Sequence, residues 1–303
     1  MNIDQLINAL EKEAPLYLES VQKVHQEFPR EFESLGNLLC SWACKVLQND
    51  TYEILAQGYK AFVSDVNRSQ ARYQRRGHYR NSSYKEVYDL VYNNPEYMTD
   101  YHWGVFVTTF AWEHHLKLFS FFENSFLSHV KKESNQVSLL DLGAGSGVWS
   151  LMSAYHCPQL TCLGIDISTT SVELAKKMAD ASSLNQRVSF QVGDALEAGS
   201  DQYDYAISCF LLEHLEAPKD LFSALSKQLK PGGLAWVSGA LTAAEIDHIY
   251  EFKKESELVD MAEEAGFRVV GSLSLGPEKY PTRFKYLPRS MGMILQSKYG
   301  ELW

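Results

Sequence analysis

The stretch Leu139-Leu140-Asp141-Leu142-Gly143-Ala144-Gly145-Ser146-Gly147 constrains this chain more than any other. A nearly continuous apolar run, of the kind buried on both faces of a sheet, gives way to glycines at 143, 145 and 147 and then to a helix-like segment. Glycine lets the backbone turn sharply and approach a ligand that a side chain would exclude. The helix that follows offers free N–H groups and the positive end of its dipole to an anionic group.

From residue 137 onward strand-like and helix-like segments alternate. The pattern predicts strands over 137–142, 160–165, 187–192, 203–209 and 234–238, with helices over 147–155, 168–182 and 218–229 between them. Lys230-Pro231-Gly232-Gly233 is expected to stop the third helix. A helix over 255–265 ends at Gly266, and strands follow over 267–275 and 290–296. Helical crossovers imply a doubly wound parallel sheet. The linker 276–289 carries Pro277, Pro281 and Pro288, which disfavour a helix, so the seventh strand is expected antiparallel. The first 136 residues lack this alternation. Ile3, Leu6, Ile7 and Leu10 recur at helical spacing, as do Leu38, Leu39, Trp42, Ala43, Val46 and Leu47. The expected architecture is α/β, a seven-stranded Rossmann-like sheet over residues 137–303 behind an all-helical cap over residues 1–136.

Glycine spacing separates two ligand classes. The dinucleotide fingerprint G-x-G-x-x-G wants a third small residue at position 148, which is Val148. Here the third glycine stands at 147 and an acid, Asp141, precedes the first by two residues. This pattern resembles the first motif of the class I (Rossmann-like) S-adenosylmethionine-dependent methyltransferases. Four further segments are similar to that family's motifs in the same order: Gly164-Ile165-Asp166-Ile167-Ser168; Gly193-Asp194-Ala195; Tyr203 to Cys209 followed by Leu212-Glu213-His214-Leu215; and Leu229-Lys230-Pro231-Gly232-Gly233. The resemblance covers roughly residues 137–298.

It implies that S-adenosyl-L-methionine is the cofactor, bound by Asp141, Gly143, Ala144, Gly145, Gly147, Asp166, Ile167, Gly193, Asp194, Ala195, Cys209 and Phe210. Asp166, at the end of the second strand, sits where a carboxylate accepts both ribose hydroxyls. The resemblance puts Asp194 on the adenine amino group beside the Ala195 N–H, and Ile167 on an adenine face. It turns Asp141 and the Cys209 carbonyl toward the methionine ammonium. Phe210 lies near the sulfonium, where an aromatic face favours a cation.

Methyl transfer displaces an already activated sulfonium, so the protein's task is to align the acceptor and exclude water. A base is needed only when the acceptor atom carries a proton. His214 is the expected catalytic residue; a structural role at this helix start is the alternative. The N-terminal half is expected to shape the acceptor pocket, since ten of the 17 tyrosines lie at or before Tyr101. The segment 97–104, with Tyr97, Tyr101 and Trp103, reads as a lid over the methyl group or as the aromatic core of a plain cap. Arg68, Arg72, Arg76 and Arg80 form a cationic stripe interrupted at Gly77. It is a solvated face or a grip on an anionic acceptor, for which Arg76 is named. His102 with Glu113-His114-His115 invites a metal. Adjacent histidines project about 100° apart on a helix, and no acid or cysteine at ligand spacing completes a shell, so no metal is expected.

The net charge of −10, −3 before residue 137 and −7 after it, lacks the basic field that nucleic acid or an anionic membrane requires. Five cysteines without a C-x-x-C pair, no basic leader with an apolar core, and no uncharged apolar run near ~18 residues point to a cytoplasmic protein. The expected activity is methylation of a small-molecule acceptor on O, N or C, in specialised metabolism. The runner-up is a protein, carrier-bound or RNA acceptor. A third reading is a non-catalytic S-adenosylmethionine-binding partner protein. The aromatic cap offers a surface for a homodimer.

Overall fold

The computed structural model describes residues 3–197, 199, 201–276 and 284–298. Helices come first: α1 (Ile3–Glu13), α2 (Pro15–Glu27), α3 (Pro29–Leu47) and α4 (Thr51–Arg76). Pro15 and Pro29 stand in the first turns of α2 and α3, where a missing N–H costs nothing. Gly77, left-handed at φ 77°, ends α4, and its N–H donates to Tyr73 O. Arg80 is therefore off the helix that carries Arg68, Arg72 and Arg76. The short α5 (Tyr84–Val87) runs into a π-helical turn, Tyr88–Tyr92. That turn stacks Tyr84 on Tyr92 at 5.7 Å. Asn94 caps α6 (Pro95–Ala111) by accepting from Tyr97 N–H. Then come α7 (Glu113–Phe121), a second π-helical turn and α8 (Leu127–Val130).

Helices α4 and α6 cross at very short range because both carry glycine there. A Cβ on Gly104 would stand 2.7 Å from Gly58 O, and one on Gly58 would meet Trp103 Cβ at 2.9 Å.

The sheet contains β1 (Val137–Leu142), β2 (Leu160–Asp166), β3 (Val188–Val192), β4 (Tyr203–Cys209), β5 (Leu229–Leu241), β6 (Phe267–Leu275) and β7 (Arg289–Ser297). Their order is β3-β2-β1-β4-β5-β7-β6. The first five strands pair in parallel, and β7 runs antiparallel between β5 and β6. Helices α9 (Val148–His156), α10 (Thr169–Ser182), α11 (Lys219–Gln228) and α12 (Glu255–Glu264) make the connections. Ser168 caps α10 through its side chain. Pro277 and Pro281 lie outside the described residues.

One strand is longer than the sequence predicts. β5 starts at Leu229, because Leu229 pairs with Tyr203 and Leu234 with Tyr205. The Lys-Pro-Gly-Gly turn bulges out between those pairs, opposite Asp204, and Lys230 Nζ reaches Asp204 Oδ1 at 2.6 Å.

One apolar cluster runs from Ile3 to Ile294, so the N-terminal helices and one face of the sheet share a core. Its fully buried members include Phe32, Phe106, Phe110, Phe122 and Trp236. At ~2–3 kcal/mol for each large apolar side chain, this contact fixes the helices on the sheet. A second cluster covers the opposite face under α11 and α12. Among the described residues no helix is long and apolar enough to cross a membrane.

Candidate active site

The loop between β1 and α9 holds the glycine triad at the carboxyl edge of the sheet. Gly147 is left-handed at φ 78°, and a Cβ there would lie 2.5 Å from Phe190 Cζ. The N–H groups of Gly143 and Ala144 donate to Ile165 O. The next one, from Gly145, donates to Asp166 Oδ2 at 2.8 Å, and Ser168 N–H donates to Oδ1 at 2.9 Å. Asp166 thus ties the glycine turn to the start of α10. Burial raises its pKa, against those two N–H bonds and His214.

The other predicted cofactor residues lie along the same edge. Asp141 is buried on β1 and accepts from Ser150 Oγ at 2.5 Å; burial pushes its carboxyl up to about 7. Gly193 N–H donates to Asp166 O, Asp194 is exposed and accepts from Leu196 N–H, and Ile167 is 43% exposed. Ala195 and Cys209 are half-buried. Phe210 takes φ 55°, rare for a bulky residue, while its N–H donates to Ser238 O. The helical region closes over this edge: His102 Nε2 hydrogen-bonds Ser171 Oγ of α10 at 2.7 Å. The buried Tyr84 hydroxyl, without a hydrogen-bond partner among the described residues, is pushed up to about 12 by burial, then by Tyr88, Asp194 and Asp166.

A cavity of about 920 Å³ lies between α4, α6, α7 and the ends of β4 and β5. Tyr101, Trp112, His115 and Phe210 give it an aromatic wall; Glu213, His214, Glu245 and His248 give it a polar floor. His214 is 9% exposed. Its Nδ1 stands 3.3 Å from Asp247 Oδ2 and 3.1 Å from Tyr92 Oη. Burial works to lower the His214 pKa, but Asp247 outweighs it and raises the imidazole to about 9. Burial opposes ionisation of Asp247 too, and His214 reverses that, holding it below the ordinary aspartate value. Glu213 is pushed up to about 7 by burial, and Glu245 to about 8 by burial and Asp247. Burial, then His214, lowers His248 to about 3, so its imidazole is neutral.

The four predicted acceptor residues fare differently. Tyr101 lines the cavity. Tyr97 is one turn away, stacked on Tyr101 at 6.3 Å, with its hydroxyl donating to Asp65 Oδ2 at 3.3 Å. Trp103, at 2% exposure, packs in the helical core against Phe106 and the glycine crossing, away from the cavity. Arg76 is exposed at the end of α4, and its neighbour Arg75, rotated about 100° around the helix, reaches the cavity wall. His102 is held by Ser171, apart from His114 and His115, which both border the cavity.

Sequence reasoning passed over Asp247, His248 and Glu245. The signal was present: Ala244-Glu245-Ile246-Asp247-His248 follows the fifth strand, and ligands of such sheets bind beyond the carboxyl ends of strands. It also passed over Gln70, which is buried and joins α4 to the segment after β5.

Residues 139–233 match the methyltransferase domain family. Over 101 residues the chain is 37% identical to the ubiquinone biosynthesis O-methyltransferase of Brucella anthropi, which is 33% of this chain and 40% of that one. It is 28% identical over 151 residues to the Coxiella burnetii protein of the same name, 44% of this chain and 64% of that one. The chain therefore spans between two fifths and two thirds of the length of these relatives. Among solved structures, Haemonchus contortus phosphoethanolamine N-methyltransferase 2 in complex with S-adenosyl-L-methionine superposes with a TM-score of 0.53 at 16% identity. The match covers 71% of this chain and 60% of that one. Motif order, strand order with an antiparallel seventh strand, and these likenesses agree: the chain carries a methyltransferase domain of the class I, S-adenosylmethionine-dependent fold.

Proposed function

We propose that this protein transfers a methyl group from S-adenosylmethionine to a small acceptor held in the 920 Å³ cavity. The observation that carries the reading is where the cavity lies. It is walled by the N-terminal helices and bordered by Phe210 and His214, the residues that follow the strand beside the glycine loop.

The residues at the glycine edge fit that donor. A Cβ on Gly145 would meet nothing nearer than His102 at 3.7 Å, so the turn is open to a ligand's backbone-close approach. Asp194 and Ile167 are exposed beside it, as an adenine and its amino group require. Asp166 would hold the ribose and Asp141 the methionine ammonium. The donor supplies an activated methyl on sulfonium. The protein's contribution is alignment and dryness, and the first 136 residues serve as the acceptor-binding layer. Tyr101 and Phe210 pack the acceptor from the aromatic side. His214, oriented by Asp247, acts at the acceptor atom and its proton through Nε2. The names of the relatives refer to small acceptors, which supports a small molecule over a protein or RNA.

The reading is tested by supplying radiolabelled S-adenosylmethionine and the protein to a metabolite extract. Label in small molecules, lost with Asp166→Ala and reduced at least tenfold with His214→Ala, is the expected result. Label in protein or RNA, or none despite saturable donor binding, refutes it.

A further inference from the structure

We infer that Glu213, His214 and His248 form a binding site for a divalent transition-metal ion on the floor of the cavity. One donor atom from each lies within 4.8 Å of the other two. Ligands around a tetrahedral zinc ion sit about 3.3 Å apart, given metal–ligand distances near 2.0–2.1 Å. The three side chains need close by only about an ångström or so to reach it.

Hydrogen bonding has set the tautomers that ligation requires. His248 Nδ1 lies 2.7 Å from Ala243 O, an oxygen that can only accept, so this nitrogen carries the proton. His214 Nδ1 faces the Asp247 carboxylate at 3.3 Å and carries its proton for the same reason. His248 Nε2 therefore keeps its lone pair for another partner, and His214 Nε2 offers one when an entering cation displaces its proton. A carboxylate behind a histidine is the usual outer support of a histidine–metal bond. The third donor is independent of the histidines. Glu213 is 1% exposed, and its Oε2 is buried with no hydrogen-bond partner among the described residues. A buried, unpartnered carboxylate oxygen costs several kcal/mol of lost hydration unless a cation meets it. Asp247 Oδ1 is buried without a partner as well, and Glu245 Oε2 is 3.8 Å from His248 Nε2.

Two histidines and one carboxylate leave a coordination position open. All three ligands border the cavity, so that position faces the acceptor. The inference rests on the proposed reaction only in placing the acceptor there. It refines the role of His214, whose Nε2 then acts on the acceptor through the ion. A metal-bound hydroxyl or amine would lose its proton to solvent more readily than a free one.

The full chain, stripped with chelator, is titrated with Zn²⁺ by calorimetry and with Co²⁺ by visible absorption. One equivalent binds, and Co²⁺ gives the d–d bands of a low-coordinate site. His248→Ala and Glu213→Gln each weaken Zn²⁺ at least 100-fold, and Asp247→Asn weakens it 10–100-fold. His129→Ala, at an exposed histidine, leaves it unchanged. Glu213→Gln keeps the shape of the side chain, and circular dichroism of the metal-free variants checks folding. Absence of saturable binding overturns the site, as does binding that survives both ligand variants or is abolished by His114→Ala instead. A simple alkylammonium binding there while Zn²⁺ does not also overturns it. Metal binding without methyl transfer to any acceptor refutes the proposed reaction and keeps the site. Methyl transfer indifferent to bound metal overturns the ion's part in the transfer.

Discussion

Gln70 is where the helical region grips the segment that follows β5 at the cavity. It is 8% exposed on α4. Its Oε1 accepts from Ala244 N–H at 2.8 Å, and its Nε2 donates to Thr242 O at 3.1 Å and Tyr286 O at 3.3 Å. One turn on, Gln74 accepts from Lys285 and Tyr286 N–H and donates to Tyr286 O. Gln70→Leu keeps the volume and removes the bonds. Ala244 N–H and Thr242 O then lose these partners, at about 1–3 kcal/mol each, while Tyr286 O retains Gln74. The added apolar burial of leucine returns about 1–2 kcal/mol. A net loss of about 2 kcal/mol is expected, read as a lower urea midpoint with an unchanged slope. Ala243, Ala244 and Glu245 form cavity wall, so acceptor KM is expected to rise several-fold while donor affinity, expected to be set beyond the carboxyl ends of β1, β2 and β3, is unchanged. Arg76→Leu, exposed on the same helix, serves as the control within about 0.5 kcal/mol. A Gln70→Leu protein as stable as that control, or one whose donor affinity falls with its acceptor affinity, would refute the reasoning.

Donor binding is expected to couple to protons through Asp141. Below its folded pKa of about 7 the carboxyl is neutral and cannot pair with an ammonium. Donor affinity measured by calorimetry should therefore rise up to tenfold per pH unit toward pH 7 and level above it, a dependence that Asp141→Asn abolishes. Asp166→Ala should weaken the donor at least tenfold, since charge-assisted hydrogen bonds carry about 1.5–3 kcal/mol each; Asp194→Ala, at an exposed position, should cost less. Gly147→Ala combines a left-handed backbone with a contact 2.5 Å from Phe190 Cζ. It should destabilise the chain by about 2–4 kcal/mol in thermal unfolding, and Phe190→Leu should restore only the steric part.

Much of the sheet was legible because buried parallel strands announce themselves locally. Val137 to Leu142 and Tyr203 to Cys209 are apolar runs whose predicted ends agree with the observed ones. The expectation that the seventh strand runs antiparallel agrees with its pairing to β5 and β6. The bulge at Lys230–Gly233 was not legible, since its residues also suit a helix stop; pairing with Asp204 on β4 decided between them. Trp103 and Arg76 lie off the cavity for a related reason. The sequence marked an aromatic half with an arginine stripe, but which side of α4 or α6 meets the cavity is set by helix packing such as the Gly58–Gly104 crossing.

What the sequence by itself determined is the glycine-loop edge of the sheet. Glycine spacing, the acid two residues before it and the acids ending β2 and following β3 are read along the chain, because one strand–turn–helix unit contains each motif. What only the tertiary structure decided is the cavity beside it. His214 follows β4 and Asp247 and His248 follow β5, and parallel pairing of those two strands sets them side by side. The helical layer then roofs them with Tyr92 and Tyr101. A buried cluster of three carboxyl groups and two imidazoles cannot be inferred from any local pattern, since its cost and its chemistry arise only when distant residues share one desolvated pocket.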